Sequence, residues 1–267
     1  MTDCIVLERA GPLATLVLNR PEALNALDLA MMEALVAQTA ALAADPSVRC
    51  VVLKGAGKHF MAGGDLRMFA GVLGRAPSER QAHFTRMVQR LHAAIEHLQR
   101  MSAPVIASVQ GAVAGFGLSL VGAADLAIAA DSAYFASAYR NIALTPDGGG
   151  SYTLPRVVGR KKAMEIMLLG ERFGAPEALR LGLVNRMVPA AELESATAAM
   201  AQAILSGPAL ALGNAKRLLQ QSLTHTLAEQ LQAEAISFGQ CAATPDFVEG
   251  ITAFLAKRPP VFDGGRG

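Results

Sequence analysis

The alternation of apolar and polar positions divides the chain into two regimes. Leu13–Leu18, Cys50–Leu53, Val105–Val109 and Leu126–Ala129 are short apolar runs, rich in β-branched or small residues, that predict buried strands. Helical spacing lies between them. It predicts one helix over Asp28–Ala44 with Asp28 as N-cap, and a long helix opened by a capping box at Ser78-x-x-Gln81 and ending near Arg100. Strand and helix therefore alternate to about residue 155, which is the β–α–β signature of a parallel sheet. From Arg160 onward the pattern turns mostly helical. Segments are expected at Lys161–Leu169, from Pro176, and around Ala191–Leu205, Ala209–Ser222, Leu227–Gln240 and Asp246–Ala256, the last started by Thr244-Pro245. The predicted fold class is α/β, with a core over residues 1–190 and a helical C-terminal region over 191–267.

One stretch invites a different reading. Ala103–Ala124 carries no charge and contains Gly111-x-x-x-Gly115, which superficially matches a membrane helix. Pro104, Gln110 and the glycines interrupt it, so a buried strand ending in a turn, followed by a short buried helix, is the better expectation.

Composition narrows the partners. Apolar residues make up 52% of the 267 positions, ample for a large core. The 24 basic and 22 acidic residues are mixed along the chain, giving a net charge of +2 and no basic stripe. Nucleic-acid and membrane partners are not expected, and an anionic ligand must be held locally. The 3 cysteines, Cys4, Cys50 and Cys241, are widely spaced with no CxxC, which predicts neither a disulfide framework nor a metal site and fits a reducing cytoplasm. The N-terminal residues Met1–Cys4 lack a basic region before an apolar core, so no secretory leader is expected. There is no fixed-period repeat.

The chemistry lies in two glycine-rich segments, Phe60-Met61-Ala62-Gly63-Gly64-Asp65 and Gly111-Ala112-Val113-Ala114-Gly115-Phe116-Gly117. Each follows an apolar β-branched run. Glycine lets the chain turn sharply and leaves amide N–H groups uncovered, so two such turns meeting in the fold would aim two donors at one oxygen as an oxyanion hole. Together with Leu18-Asn19-Arg20-Pro21-x-x-x-Asn25-Ala26, these segments resemble the enoyl-CoA hydratase/isomerase (crotonase) family over about residues 5 to 262. The resemblance implies a spiral of β–β–α turns with a helical trimerisation region, assembled as a homotrimer or a dimer of trimers. It implies an acyl-CoA substrate, with coenzyme A as part of that substrate and no permanently bound cofactor.

Carried over position by position, the oxyanion donors are the N–H groups of Gly64 and Phe116. Typical hydratases of the family place glutamates where this chain has Ser119 and Tyr139. A carboxylate stands instead at Asp147, in Leu144-Thr145-Pro146-Asp147-Gly148-Gly149-Gly150, and is the candidate base. This arrangement is similar to ring-epoxide and enoyl-CoA isomerases of the family, and to dehalogenases that keep a nucleophilic aspartate there. Pro-Asp-Gly is also ordinary β-turn chemistry. Tyr139 is expected to line the acyl pocket and Ser119 to act as a small space-maker. For coenzyme A the resemblance implies Arg67 near the adenine, Arg20 with the Ala23-Leu24 backbone at the nucleotide rim, Ala62 among the CoA-binding residues, and Phe254 and Lys257 reaching a neighbouring subunit's ligand. Asp65 reads as structural, and His59, His83, His92, His97 and His225 are assigned no role.

The leading expectation is a thioester isomerase using one carboxylate. Hydration of a trans-2-enoyl-CoA, dehalogenation, and a non-catalytic acyl-CoA- or RNA-binding protein are the alternatives.

Overall fold

The structure is a computed structural model that describes residues 3–262. Its strands are β1 (Ile5–Ala10), β2 (Leu13–Leu18), β3 (Cys50–Gly55), β4 (Val105–Val109), β5 (Ala112–Ala114), β6 (Leu126–Ala130), β7 (Tyr134–Ala136), β8 (Phe173–Gly174) and β9 (Arg186–Val188). The helices are α1 (Leu29–Ala44), α2 (Leu66–Ala70), α3 (Pro77–Arg100), α4 (Phe116–Ala123), α5 (Gly150–Val158) and α6 (Arg160–Leu169), followed by α7 (Ala175–Arg180), α8 (Leu193–Leu205), α9 (Ala209–Gln221), α10 (Leu227–Ala242) and α11 (Pro245–Leu255).

Strands β3 and β4 are buried on both faces, which is why they read as continuous apolar runs, and they occupy the centre of a six-stranded sheet ordered β1-β2-β3-β4-β6-β9. Only the β1–β2 hairpin at its edge is antiparallel. A second, three-stranded sheet, β5-β7-β8, stands beside the site. Its strands are two or three residues long, too short to leave a periodic signal, and the sequence reading missed them along with β1 and β9.

Helix α1 is capped as expected: the Asp28 carboxylate accepts from Met31 N–H at 2.8 Å, and Met31, Met32, Leu35, Thr39 and Leu42 turn inward. The opening of α3 differs from expectation. Pro77, with its preset φ and no N–H to lose, takes the first turn, so Ala76 is the N-cap and its N–H donates to Glu79 at 3.1 Å; Ser78 and Gln81 form no box. The uncharged Ala103–Ala124 stretch is divided among β4, β5 and α4, and among the described residues no single helix is long and apolar enough to cross a membrane. Helix α8 covers one face of the sheet, with Met200 and Ala201 against Cys50, Val52, Ile106 and Ile128. Burial there pushes the Cys50 thiol up to about 12, which leaves it inert.

A buried ion pair fastens α9 beneath the sheet. Lys216 Nζ lies 2.8 Å from Asp125 Oδ2 and also donates to the carbonyls of Leu98 at 2.8 Å and Ala103 at 3.1 Å, while Val105 N–H donates to the same Asp125 oxygen at 2.8 Å. Burial raises the Asp125 pKa and lowers that of Lys216, each opposed by the partner's charge.

Candidate active site

The Asn-Arg-Pro segment is a clamp. Leu24 and Asn25 both hold positive φ, at 54° and 53°, and Asn25 is completely buried. Its amide nitrogen lies within hydrogen-bonding distance of three carbonyls, Ala56 at 2.9 Å, His59 at 2.7 Å and Phe60 at 3.1 Å, while its Oδ1 accepts from Arg20 N–H at 2.9 Å. The Arg20 guanidinium is held by Asp65 at 3.0 Å and Asp28 at 3.2 Å. Burial would raise the Asp65 pKa, but hydrogen bonds from the Arg20 side chain and Arg67 N–H outweigh it and hold the carboxyl below its usual value. These contacts fix the loop that delivers Gly63 and Gly64.

The two glycine turns meet. Isolated parallel bridges join Leu27 to Gly64 and Met61 to Val113; Met61 N–H donates to Ala112 at 3.0 Å, and Ala114 N–H to Met61 at 2.9 Å. The backbones approach so closely that a Cβ on Gly117 would sit 2.6 Å from the Met61 carbonyl oxygen, and one on Gly115 would sit 3.3 Å from Gly63 Cα. Gly115 also has φ +52°, a backbone state that glycine adopts readily. Phe116 opens α4, so its N–H belongs to the first turn and lacks an intrahelical acceptor. Among the described residues neither Phe116 N–H nor Gly64 N–H has a hydrogen-bond acceptor. Both donors line one cavity.

Asp147 lines the same cavity, from the loop between the Tyr139–Ile142 turn and α5. Tyr139 Oη donates to Asp147 Oδ1 at 2.6 Å. Ser119, on α4, donates to the Asp147 carbonyl oxygen at 2.8 Å, and its Oγ lies 3.3 Å from Tyr139 Oη. Gly148 at φ +56° and Gly149 at φ +76° turn the loop so tightly that a Cβ on Gly148 would strike the Phe116 ring at 2.7 Å. Burial pushes the Asp147 pKa up, and the Tyr139 hydrogen bond and the nearby His92 ring counter part of that rise. The Tyr139 phenol is itself pushed well above its usual value by burial and the adjacent carboxylate.

The cavity has a volume of about 560 Å³ and is walled chiefly by apolar side chains, with Phe69 and Phe84 edge-to-face at 5.0 Å. Ala62, Gly64, Phe116, Tyr139 and Asp147 all line it. Asp28 is the second carboxylate on its wall, already engaged as the cap of α1 and the partner of Arg20.

A model of the family described as enoyl-CoA hydratase/isomerase matches residues 8–265. The chain belongs to the enoyl-CoA hydratase/isomerase family. It is 36% identical to the 1,2-epoxyphenylacetyl-CoA isomerase of Escherichia coli, covering 94% of each chain. It is 34% identical to the crotonyl-CoA hydratase of Syntrophomonas wolfei, covering 97% of each. The crystal structure of an enoyl-CoA hydratase from Bacillus anthracis superposes with a TM-score of 0.90 at 32% identity, over 97% of this chain and 99% of that one. An isomerase and a hydratase thus stand at nearly the same distance, and the fold is the crotonase fold.

Within this enoyl-CoA hydratase/isomerase frame, Tyr139 lines the cavity as expected, whereas Ser119, expected in the acyl pocket, is buried behind its wall because its Oγ is turned to the Asp147 carbonyl; both side chains bond to Asp147. The other anticipated contacts divide. The Arg20 guanidinium faces the two aspartates, Ala23 is half-buried in the turn Pro21–Ala23, and Arg67 is exposed at the start of α2. Phe254 is 81% exposed at the end of α11, and neither it nor Lys257 lines the cavity of its own chain. The histidines include two that the sequence reading passed over. His92 Nε2 accepts from Gly148 N–H at 3.3 Å, and His59 Nδ1 accepts from Ala112 N–H at 3.0 Å. A histidine on the α3 face turned toward the Asp147 loop was the available signal for the first; for the second there was none.

Proposed function

We propose that the protein is an acyl-CoA isomerase of the enoyl-CoA hydratase/isomerase family in which Asp147 is the single acid/base. The observation that carries this reading is that, among the described residues, Asp147 is the one carboxylate on the cavity wall not already engaged by an arginine, and it lines the same cavity as two unpartnered backbone N–H groups. A thioester carbonyl placed between Gly64 N–H and Phe116 N–H has its developing negative charge stabilised, which acidifies the carbons conjugated with it. Asp147 removes an α- or γ-proton. The resulting carboxylic acid returns that proton at the other end of the enolate, moving the double bond with no net change in atoms. Opening of an α,β-type ring epoxide is a variant of the same single-carboxylate chemistry, and the E. coli relative's name gives it weight.

Tyr139 supports the assignment by holding Oδ1, which leaves Oδ2 for the proton. An upward-shifted Asp147 pKa makes the acid form easier to reach during the cycle. Hydration would need a second group to activate water, and Ser119 and Tyr139 supply no carboxylate.

The reading extends to assembly. Leu227, Leu231, Ile236 and Phe238 on α10 and Val248, Ile251, Phe254 and Leu255 on α11 are exposed apolar side chains, which favours a homotrimer or dimer of trimers in which Phe254 and Lys257 approach a neighbouring subunit's ligand.

The test is NMR in D₂O with 3-enoyl-CoA and trans-2-enoyl-CoA side by side. Deuterium incorporation with double-bond migration, lost in Asp147→Asn, is the expected result; clean formation of 3-hydroxyacyl-CoA would replace the proposal with hydration.

A further inference from the structure

A second cavity of about 320 Å³, open to solvent, adjoins the first between α1, α2 and α3. The two share Met32, Met68 and Met87 and no other side chain. Each methionine comes from a different helix: Met32 from α1, Met68 from α2, Met87 from α3. The wall between the cavities is therefore built from unbranched, multiply rotatable thioethers, the side chains that repack most readily. One of its three supports, α2, is a five-residue helix in which no residue is fully buried. The remaining wall of the first cavity is of another kind, closed by the edge-to-face pair Phe69 and Phe84.

The second cavity continues the apolar character of the first, with Leu29 and Val72 joining the methionines. Its polar members, His83, Arg86 and the ion-paired Arg90 and Glu33, are partly or fully exposed and mark its rim against solvent. An apolar chain crossing from the first cavity to the second passes a soft partition into a largely apolar groove whose outer side meets water.

We infer that Met32, Met68 and Met87 form a movable partition, and that the protein accepts long apolar acyl chains whose distal part passes between them into the second chamber. This rests on the acyl-CoA reading above and names the acyl class that such a site takes. Short chains stop at the methionines and gain nothing from the chamber behind.

The experiment is calorimetric titration of the intact protein with saturated acyl-CoA thioesters from butanoyl to hexadecanoyl, which bind without turnover. If the chamber is used, affinity continues to rise beyond octanoyl, by roughly tenfold for each two methylenes newly buried. Met87→Trp fills the gap between the cavities. Leu29→Trp, on a half-exposed position lining only the second cavity, narrows the chamber without touching the first. Loss of the long-chain gain in either folded variant supports the partition. A wild-type affinity that is flat beyond octanoyl, or a gain that persists in both variants, overturns it while leaving the acyl-CoA reading intact. Failure to bind at any chain length overturns both.

Discussion

Tyr139 Oη donates to Asp147 Oδ1 at 2.6 Å, so the phenol steadies a carboxylate eight residues further along the chain. The bond favours the ionised form and works against the upward push of burial. Removing it in Tyr139→Phe raises the Asp147 pKa further. A base must be ionised to accept a proton, so the acidic limb of the kcat/KM profile should move to higher pH. An unmoved limb with reduced kcat would show that Tyr139 acts only through packing.

Asp147→Asn keeps the shape of the loop and removes the proton acceptor. Turnover should fall by about 10³, in the range usual for loss of a general acid/base, while the affinity for a saturated acyl-CoA changes little. Substantial isomerisation by this variant would exclude Asp147 as the base.

Gly64 has no room for a side chain: a Cβ would stand 2.8 Å from Phe69 Cζ. Gly64→Ala must displace either the ring or the backbone that carries the N–H, and kcat should drop by about 10². Adding Phe69→Ala removes the collision, so the double variant should recover part of the lost rate. No recovery would mean that the defect lies in the backbone itself.

The Lys216–Asp125 pair predicts a stability effect separate from chemistry. Lys216→Met leaves the Asp125 carboxylate buried without its partner, and unfolding by denaturant should reveal a loss of about 3 kcal/mol. Combining it with Asp125→Asn should restore much of that loss. Two strictly additive losses would argue against coupling.

Much of this was legible in the chain. The central strands announced themselves because burial on both faces demands unbroken apolar runs, and the later helices because each has an amphipathic period and several carry Pro, Thr or Gly at their ends. The site positions Gly64, Phe116 and Asp147 were readable because they sit in motifs. What connects them was not. The Tyr139–Asp147 bond joins positions eight apart only because Ala138 and Ala143 both adopt positive φ around a short turn, a conformation their side chains do not signal. The Asp125–Lys216 pair joins the middle of α9 to the residue before β6, and no local pattern records such a contact. Ser78 misled because a proline just before it outcompeted it for the helix start.

The fully buried Asn25 gives the molecule a division of labour. Its amide secures the loop that presents the unpartnered Gly64 N–H, and it does so without facing the cavity. The motif that makes this chain recognisable thus shapes the proposed thioester cradle and is silent about the reaction. The proposed reaction rests instead on Ser119, Tyr139 and Asp147, three side chains on separate elements with no part in the clamp. Exchanging a hydroxyl for a carboxylate among them would relocate the proton's handler while the cradle stayed in place. One scaffold can in this way pass from one chemistry to another through a few substitutions, and a chain's membership of the family says less about its product than the address of its acid.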